Sequence, residues 1–200
     1  MKKIWMVMFI FLAIECVYGQ NERKHYFGAC YSFGACFYKD FTYNLIEKEL
    51  DGKNYHSAGL EYRYRFREKT ELGLGLMWGL NQLNDRRFYY DKHNYNYLIT
   101  PVNVLSIPVS VKYHFQKYFF IGGGPCLNYH PWFENWKWGI GLELNFGIEY
   151  VFQSGLTISV TPRGQINMLN LSGNKNSSGI EKDILSQIGI GIGLGYKFGK

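Results

Sequence analysis

Charged side chains in this chain recur at every second position within stretches that are otherwise apolar or rich in glycine. Glu61, Arg63 and Arg65 follow this spacing in one stretch, and Glu143 and Glu149 keep the same parity in another. In an extended strand, residues two apart share one face, so these charges lie together on one side of a sheet. Acids and bases arranged in this way can pair with one another, or they can line a path for ions. The set predicted to share this face comprises Glu61, Arg63, Arg65, Glu71, Lys112, His114, Glu143, Glu149, Arg163 and Lys197.

Histidines in or beside the polar connecting segments are the candidates for acid–base chemistry: His56, His93 and His130, with Asp91 close to His93 in sequence. An imidazole beside a carboxylate could activate a hydroxyl nucleophile, but no motif places a nucleophile next to any of them. No His/Cys pair has the spacing of a zinc site. The Gly-x-Gly runs alternate within strands instead of opening a helix, which argues against a phosphate-binding loop. We therefore predict no catalytic residue, no metal and no cofactor.

The cysteines that remain after removal of an N-terminal leader are Cys30, Cys36 and Cys126. An odd number does not make a disulfide framework. Cys30 and Cys36 lie six residues apart on one predicted strand, which is about 20 Å at the rise of a strand, so they cannot bridge each other. We interpret all three as small, inward-facing side chains that fill space.

The stretch that decides the architecture is QIGIGIGLGYKF, residues 187–198. Its even positions are bulky and apolar, and its odd positions are glycine, Gln187 or Lys197. A period of two this regular predicts a β-strand with two unlike faces. Its length, about a dozen residues, is what a tilted strand needs to cross a bilayer. Glycine weakens a strand, so a row of glycines indicates a face where space is short.

The same alternation recurs along the chain and predicts further strands. They lie at 26–38, 55–66, 70–80, 104–115, 118–128, 136–151, 155–167 and 187–198. Long connections alternate with short turns, and the longest are 39–54, 81–103 and 168–183. This asymmetry is typical of outer-membrane barrels, which have short periplasmic turns and longer extracellular loops. We predict an all-β fold: an eight-stranded antiparallel up-and-down transmembrane β-barrel.

The N-terminus has the pattern of a secretory signal peptide. Lys2 and Lys3 precede the apolar run Ile4–Ile14, which is short for a transmembrane helix. We predict a signal peptide at 1–19 and an outer-membrane β-barrel domain at 20–200, with an uncleaved anchor helix as the alternative. The formal net charge is +6 and the basic residues are dispersed, so nucleic acid is not a predicted partner.

Alternation alone does not say which face points inward. A soluble, lipocalin-type barrel would place the apolar face inside. An eight-stranded barrel, however, is only wide enough for side chains to fill it, and the glycine-rich face fits that space whereas the Trp, Ile, Leu and Tyr face does not. We therefore predict that the bulky side chains face lipid and that the charges pair within the lumen and plug it. A narrow polar pore is the alternative.

The short turns predict which lumen residues lie opposite each other. The predicted pairs are Arg65 with Glu71, Arg63 with Gly73, Lys112 with Gly122, and Glu143 with Arg163. Cross-strand neighbours lie about 5 Å apart, so long charged side chains would meet an opposite charge or the space left by glycine. Pro108, Pro125 and Pro162 lie within predicted strands. Because proline removes a ladder hydrogen bond, we predict a local bulge at each.

With these strands in place, a resemblance to known proteins emerges. It is carried by LSIPVSVKYHF (residues 105–115), by GGGP (residues 122–125) and by the aromatic-terminated LGYKF (residues 194–198). Through these segments the chain resembles the small bacterial outer-membrane β-barrel families, the OmpA-like and OmpX-like barrels and the PorT-like group. The resemblance covers nearly all of the mature chain. It implies a place in the cell outer membrane of a Gram-negative bacterium and contact with its lipid and lipopolysaccharide.

The resemblance also implies insertion by the barrel-assembly machinery, which reads a final strand that ends in an aromatic residue. Here Gly199 and Lys200 follow Phe198, a small departure from that pattern.

Barrels of this kind serve as anchors, adhesins, pores, secretion components and enzymes, so the fold does not decide the activity. We predict a non-enzymatic barrel with a structural or surface-interaction role, and the three long connections are the predicted contacts for an extracellular partner. The aromatic residues of 81–103, together with Trp132, Trp136 and Trp138, are interpreted as part of an interfacial girdle. The alternatives are a narrow porin-like transport pore and, less favoured, a lipid A-modifying enzyme.

Overall fold

The computed structural model describes residues 23–40, 50–86, 97–131, 137–169 and 183–199. The strands are β1 (His25–Asp40), β2 (Leu50–Arg67), β3 (Thr70–Arg86), β4 (Tyr97–His114), β5 (Phe119–His130), β6 (Lys137–Val151), β7 (Leu156–Leu169) and β8 (Asp183–Phe198). Each strand pairs antiparallel with its sequence neighbours, and β1 pairs with β8, which closes the barrel. The predicted all-β, eight-stranded, antiparallel up-and-down barrel is confirmed.

Among the residues that the structure describes, no helix is long and apolar enough to cross a membrane.

The two faces of the strands are arranged as their residue types predict. Leu74, Ile140 and Ile190 are 53%, 68% and 45% exposed on the outer surface, whereas neighbouring glycines such as Gly73 and Gly191 are buried. β-Branched and aromatic side chains suit a pleated surface, and glycine leaves room on the inner wall of a narrow cylinder. The prediction that bulky apolar side chains point outward is therefore confirmed.

The connections are shorter than predicted. Residues 50–54 belong to β2, 81–86 to β3 and 97–103 to β4, and the ends of β7 and β8 likewise occupy 168–169 and 183. Backbone pairing continues here although the alternation of apolar and polar side chains lapses, and alternation was the signal on which the boundaries rested. The parts of these connections at 41–49, 87–96 and 170–182 lie outside the described residues.

The proline positions correct another prediction. Pro108 faces Cys126, and the β4–β5 register is the same on both sides of it. Pro125 and Pro162 each pair continuously with one neighbouring strand. On their other side the pairing lapses beside the proline and resumes in the same register. Register shifts lie instead within the β2–β3 pair, between Gly52 and Tyr55 and between Arg65 and Arg67. The predicted bulges are therefore wrong. Proline lacks one N–H and so loses one bond to one neighbouring strand, which leaves the register of the ladder unchanged.

Three of the predicted facing pairs match the observed register: Arg65 with Glu71, Arg63 with Gly73, and Lys112 with Gly122. The fourth is wrong. Glu143 faces Gln165, and Arg163 faces Asn145. The β6–β7 turn is closed by the backbone N–H of Phe152 donating to Leu156 at 2.8 Å, and Gly155 has φ +101°. A three-residue turn that ends in such a glycine displaces the pairing.

The buried apolar core lies inside the barrel at the end that carries the long connections, here called the loop end. Its members are Cys36, Tyr55, Leu83, Val102, Val104 and Leu185, with Tyr38 packed against them. The opposite end carries the short turns and is called the turn end. The interior thus changes from charged near the turn end to apolar near the loop end.

Candidate functional site

Four side chains near the turn end form a closed ring of alternating charge across the lumen. Arg63 Nη1 lies 2.9 Å from Glu71 Oε2 and 2.5 Å from Glu149 Oε2. Lys197 Nζ lies 2.9 Å from Glu71 Oε1 and 2.6 Å from Glu149 Oε1. All four side chains are buried. Because β2, β3, β6 and β8 each contribute one residue, the ring joins separate parts of the barrel wall. We call these four residues the charge ring.

Three further side chains support the charge ring. Arg65 Nη2 donates to Glu71 Oε1 at 2.8 Å, and His114 Nε2 lies 3.4 Å from Glu71 Oε2. The guanidinium of Arg63 lies 3.5 Å from the centroid of the Tyr26 ring. A cation over an aromatic face is attracted by the ring quadrupole. Tyr26 therefore binds the face of the Arg63 guanidinium, and the two carboxylates bind its N–H groups. Tyr26 was not singled out from the sequence.

Glycines create the space that Tyr26 occupies. A Cβ at Gly195 would lie 2.5 Å from Cζ and from the hydroxyl oxygen of Tyr26, and a Cβ at Gly28 would lie 2.6 Å from the same Cζ. These two glycines face each other on β8 and β1. The tyrosine ring therefore lies against a wall that carries no side chains, and its other face meets Arg63.

A second group of ion pairs lies deeper in the lumen. Lys112 Nζ lies 3.1 Å from Glu61 Oε1, and Arg163 Nη2 lies 2.7 Å from Glu143 Oε2. The Arg163–Glu143 pair forms diagonally across the β6–β7 ladder, although the two residues do not face each other in register. Arg163 also donates to the Ser32 hydroxyl at 3.0 Å. The structure thus places nine of the ten predicted lumen residues in ion pairs, and it places the tenth, His114, beside the Glu71 carboxylate.

A small polar chamber lies beside this second group. Its volume is about 60 Å³, and Glu61, Lys112, Glu143 and Arg163 are among the residues that line it. A buried water needs roughly 10–15 Å³ of such space and two to four polar partners. The chamber therefore has room for a few waters, and its walls supply the partners that they need.

Side-chain amides close the lumen between the chamber and the apolar core, and we call them the amide layer. Gln165 Nε2 and Asn128 Nδ2 each donate to Asn167 Oδ1 at 2.8 Å. Gln187 Nε2 donates to Asn81 Oδ1 at 2.6 Å, which links β8 to β3. These amides are buried, and the apolar core lies beyond them toward the loop end. The sequence signal for this layer was weak, because it consists of single polar residues near the ends of predicted strands.

The carboxylates and the imidazole of the charged layer also have the composition of a metal site. Ligand atoms of Glu71, His114 and Glu149 lie within 4.8 Å of one another. Both carboxylates already contact Arg63 and Lys197 at hydrogen-bond distance. Their negative charge is thus balanced by protein cations, and the arrangement is explained as an ion-pair network.

The histidines considered for catalysis do not assemble into a site within the described residues. His56 lies on the outer surface, where its Nδ1 is 2.7 Å from the Tyr31 hydroxyl. His93 and Asp91 lie outside the described residues, as does the side chain of His130. The geometry that surrounds His56 is that of an aromatic pair at a surface and not that of a nucleophile relay.

The cysteines are free thiols within the described residues. Cys36 belongs to the apolar core, and Cys126 accepts a hydrogen bond from Gln165 at 3.4 Å in the amide layer. Cys30 lies 3.3 Å from Met77 Sδ at the wall of the chamber. All three fill space inside the barrel, as the sequence predicts.

The outer surface carries aromatic rings near both ends of the strands. At the turn end, His25 stacks on Phe198 and Phe115 stacks on Phe119, with centroid distances of 5.5 Å and 5.9 Å. Toward the loop end, Tyr129 and Trp138 pack at 4.9 Å. Of the tryptophans predicted for a girdle, Trp138 is 59% exposed, and Trp132 and Trp136 lie outside the described residues. Between the two sets the outer face is largely aliphatic.

Solved structures share this architecture. The outer membrane protein OprG from Pseudomonas aeruginosa matches with a TM-score of 0.54 and 15% identity, over 91% of this chain and 99% of OprG. The fold is that of small outer-membrane β-barrels. Neisserial surface protein A also matches, with a TM-score of 0.50 and 13% identity, over 87% of this chain and 97% of that protein. At these identities the likeness concerns the fold.

No protein-family model matches the chain, and no curated protein matches it. The finer resemblance to OmpA-like, OmpX-like or PorT-like barrels therefore stays a prediction.

Proposed function

We propose that this protein is an integral outer-membrane β-barrel without catalytic activity, whose lumen is plugged and whose role is structural or one of surface interaction. Its barrel crosses the outer membrane and contacts lipid and lipopolysaccharide. Residues 1–19 act as the signal peptide that directs it to secretion. The fold shared with OprG, an outer membrane protein, supports this location.

The observation that carries the proposal is the charge ring across the lumen. An ion that passed through would have to separate Arg63 and Lys197 from Glu71 and Glu149, and a buried charge that loses its partner costs several kcal/mol. The amide layer and the apolar core close the same path nearer the loop end. The barrel interior therefore acts as a packed core and not as a channel.

The outer surface supports insertion in a bilayer. Closed barrels satisfy the backbone hydrogen bonds that lipid cannot satisfy. An aliphatic band flanked by aromatic rings is the pattern of transmembrane barrels, whose girdles lie at the two interfaces. Phe198 ends the last strand as an aromatic residue, which suits recognition by the barrel-assembly machinery.

A role at the cell surface then belongs to the segments between strands at the loop end. The finer form of the proposal is that the connections within 39–54, 81–103 and 168–183 contact an extracellular partner and that the chain is related to the OmpA-like, OmpX-like and PorT-like barrels. The packed lumen is consistent with this role, because it makes the barrel a rigid support.

A narrow pore is the second candidate, and the chamber of about 60 Å³ favours it. Conductance in a planar bilayer separates the two candidates. We expect the purified wild-type barrel to be silent. The balanced double variant Arg63→Ala/Glu149→Ala should stay silent too, because the amide layer and the apolar core still close the lumen. Arg67→Ala/Glu68→Ala removes the same charges from an exposed turn and should remain silent. Steady open channels in the wild-type protein would overturn the plugged lumen.

Loop labelling tests the topology. In a variant with Cys30, Cys36 and Cys126 changed to Ser, we expect an impermeant maleimide to label Tyr43→Cys on intact cells. Ser154→Cys, in a short turn, should be labelled only after the outer membrane is permeabilised. The opposite pattern would reverse the proposed orientation, and labelling of neither position after permeabilisation would argue against exposure of these segments.

A further inference from the structure

Basic residues cluster at the turn end of the barrel, beyond the ends of the strands. They lie on the segment before β1 and at the β2–β3 turn. We call this set the basic rim: Arg23, Lys24, Arg67 and Lys69. Glu68 is the one carboxylate in these two segments within the described residues. The cations of the lumen, in contrast, are matched by carboxylates.

The basic rim lies next to the aromatic rings of the turn end. The guanidinium of Arg23 is 5.9 Å from the centroid of the Tyr196 ring. Tyr196 is 49% exposed on the outer surface. Aromatic side chains of membrane proteins lie at the level of the lipid headgroups. The cations just beyond them are therefore at the depth of the lipid phosphates.

The first part of the basic rim is held in place. Arg23 Nη2 donates to the Gln153 carbonyl at 2.7 Å, and Nη1 donates to the Lys197 carbonyl at 3.3 Å. The Lys24 carbonyl accepts the backbone N–H of Arg65 at 2.7 Å. The segment before β1 is thus tied to the barrel end, and little conformational freedom remains to be lost when its cations meet an anion.

We propose that the basic rim binds the phosphate groups of anionic phospholipids in the leaflet at the turn end of the barrel. The inference rests on the proposed insertion in a membrane. Basic residues beside a bilayer attract anionic lipids within a Debye length. Arginine can bind a phosphate with two parallel hydrogen bonds, and lysine binds it as a point charge. A shell of anionic lipid would balance a rim on which protein carboxylates are scarce.

Electron paramagnetic resonance with spin-labelled lipids tests the proposal in reconstituted vesicles of phosphatidylcholine. We expect labelled phosphatidylglycerol to be enriched over labelled phosphatidylcholine in the lipid shell of the protein by about twofold or more. The enrichment should fall toward unity in 0.5 M NaCl and in the variant Lys24→Gln/Arg67→Gln/Lys69→Gln. Lys53→Gln removes an exposed cation near the loop end and should keep the enrichment.

The possible results distinguish a failure of membrane insertion from a failure of the basic rim to bind anionic lipid. Absence of any motionally restricted lipid would show that the barrel does not insert, which overturns the proposed function itself. Restricted lipid without a preference for phosphatidylglycerol, or a preference that survives the triple variant, overturns the basic rim alone and leaves insertion intact. Inorganic phosphate at equal ionic strength should displace no more labelled lipid than chloride does, and stronger displacement would identify a soluble phosphate site instead.

Discussion

Glu71 Oε1 and Lys197 Nζ lie 2.9 Å apart, although 126 residues separate them in the chain. Glu71 is on β3 and Lys197 is on β8, and β1 and β2 stand between these strands in the barrel wall. The contact therefore crosses the lumen and does not follow the sheet. It joins the third strand to the last one. The charge ring can therefore form only when the barrel is closed.

The charge ring makes Lys197 a strong test of stability. Lys197→Met leaves Glu71 and Glu149 short of one buried partner, and we expect a loss of about 3–5 kcal/mol in the free energy of unfolding. Urea titration in lipid vesicles, followed by tryptophan fluorescence, measures it. Lys69→Met at an exposed turn should change the value by less than about 0.5 kcal/mol. Equal effects of the two substitutions would contradict the role of the ring.

The ring also predicts a rescue. Adding Glu149→Met to Lys197→Met removes the acid together with its base, so the double variant should be more stable than the sum of the two single variants indicates. Coupling within such a network is about 0.5–3 kcal/mol. The same urea titration completes the double-mutant cycle, and strict additivity would show that the two side chains do not interact.

Glycine on the inner wall should be required only where another side chain needs its space. Gly195→Ala places a methyl group 2.5 Å from Tyr26, and we expect a loss of about 1–3 kcal/mol from the strain. Gly79 also lies on the inner wall, and a Cβ there would meet its nearest neighbour, the Val104 carbonyl oxygen, at 3.5 Å, so Gly79→Ala should be neutral, or stabilising by up to about 1 kcal/mol. Unfolding midpoints measured side by side test the contrast, and a reversed order would refute it.

The outward side chains should respond to charge according to depth. Leu144 lies near the middle of β6 and is 64% exposed on the outer face, so Leu144→Arg should lower the free energy of unfolding in vesicles by about 2–4 kcal/mol. Phe66→Arg, at the turn end, should lower it by no more than about 1 kcal/mol. Equal effects of the two substitutions would indicate that the outer face of the barrel does not lie in a bilayer.

Thiol counting tests both the leader and the packing. Cys16 lies within residues 1–19, so protein purified from membranes should contain three thiols: Cys30, Cys36 and Cys126. Because Cys36 and Cys126 are buried, a bulky maleimide should leave them unmodified in the folded barrel and react with all three cysteines in urea. Mass spectrometry reports both results. A fourth thiol would show that the leader is retained, and rapid labelling of Cys126 would contradict its position in the amide layer.

Much of the fold was predictable because alternation is a local property. Residues two apart share a face whatever the rest of the chain does, so the glycines of residues 187–198 and the bulky side chains between them revealed the two faces of β8. The short turns likewise predicted that Arg65 faces Glu71. The β6–β7 turn is centred one residue later than predicted, so the same reasoning placed Arg163 opposite Glu143, and the observed partner is Asn145.

The loop end was harder to predict, since its interior is apolar. Val102, Leu83 and Leu185 point into the barrel there and form its buried core. Inward positions elsewhere are mostly glycine or polar, and Tyr26, Met77 and Phe120 are exceptions. When the inward positions change from polar to apolar along one strand, the alternation of apolar and polar residues no longer predicts where that strand ends. Backbone pairing continued through residues that had been interpreted as loop.

The sequence by itself determined the strands, the side of each strand that meets lipid and the set of charges that the other side carries. It did so because a strand repeats every two residues and a narrow cylinder cannot hold its bulkiest side chains. Only the tertiary structure decided which charges meet. Arg63 meets Glu149, and Lys197 meets Glu71 and Glu149, because closure of the barrel brings their strands face to face across the lumen. No local spacing encodes those distances.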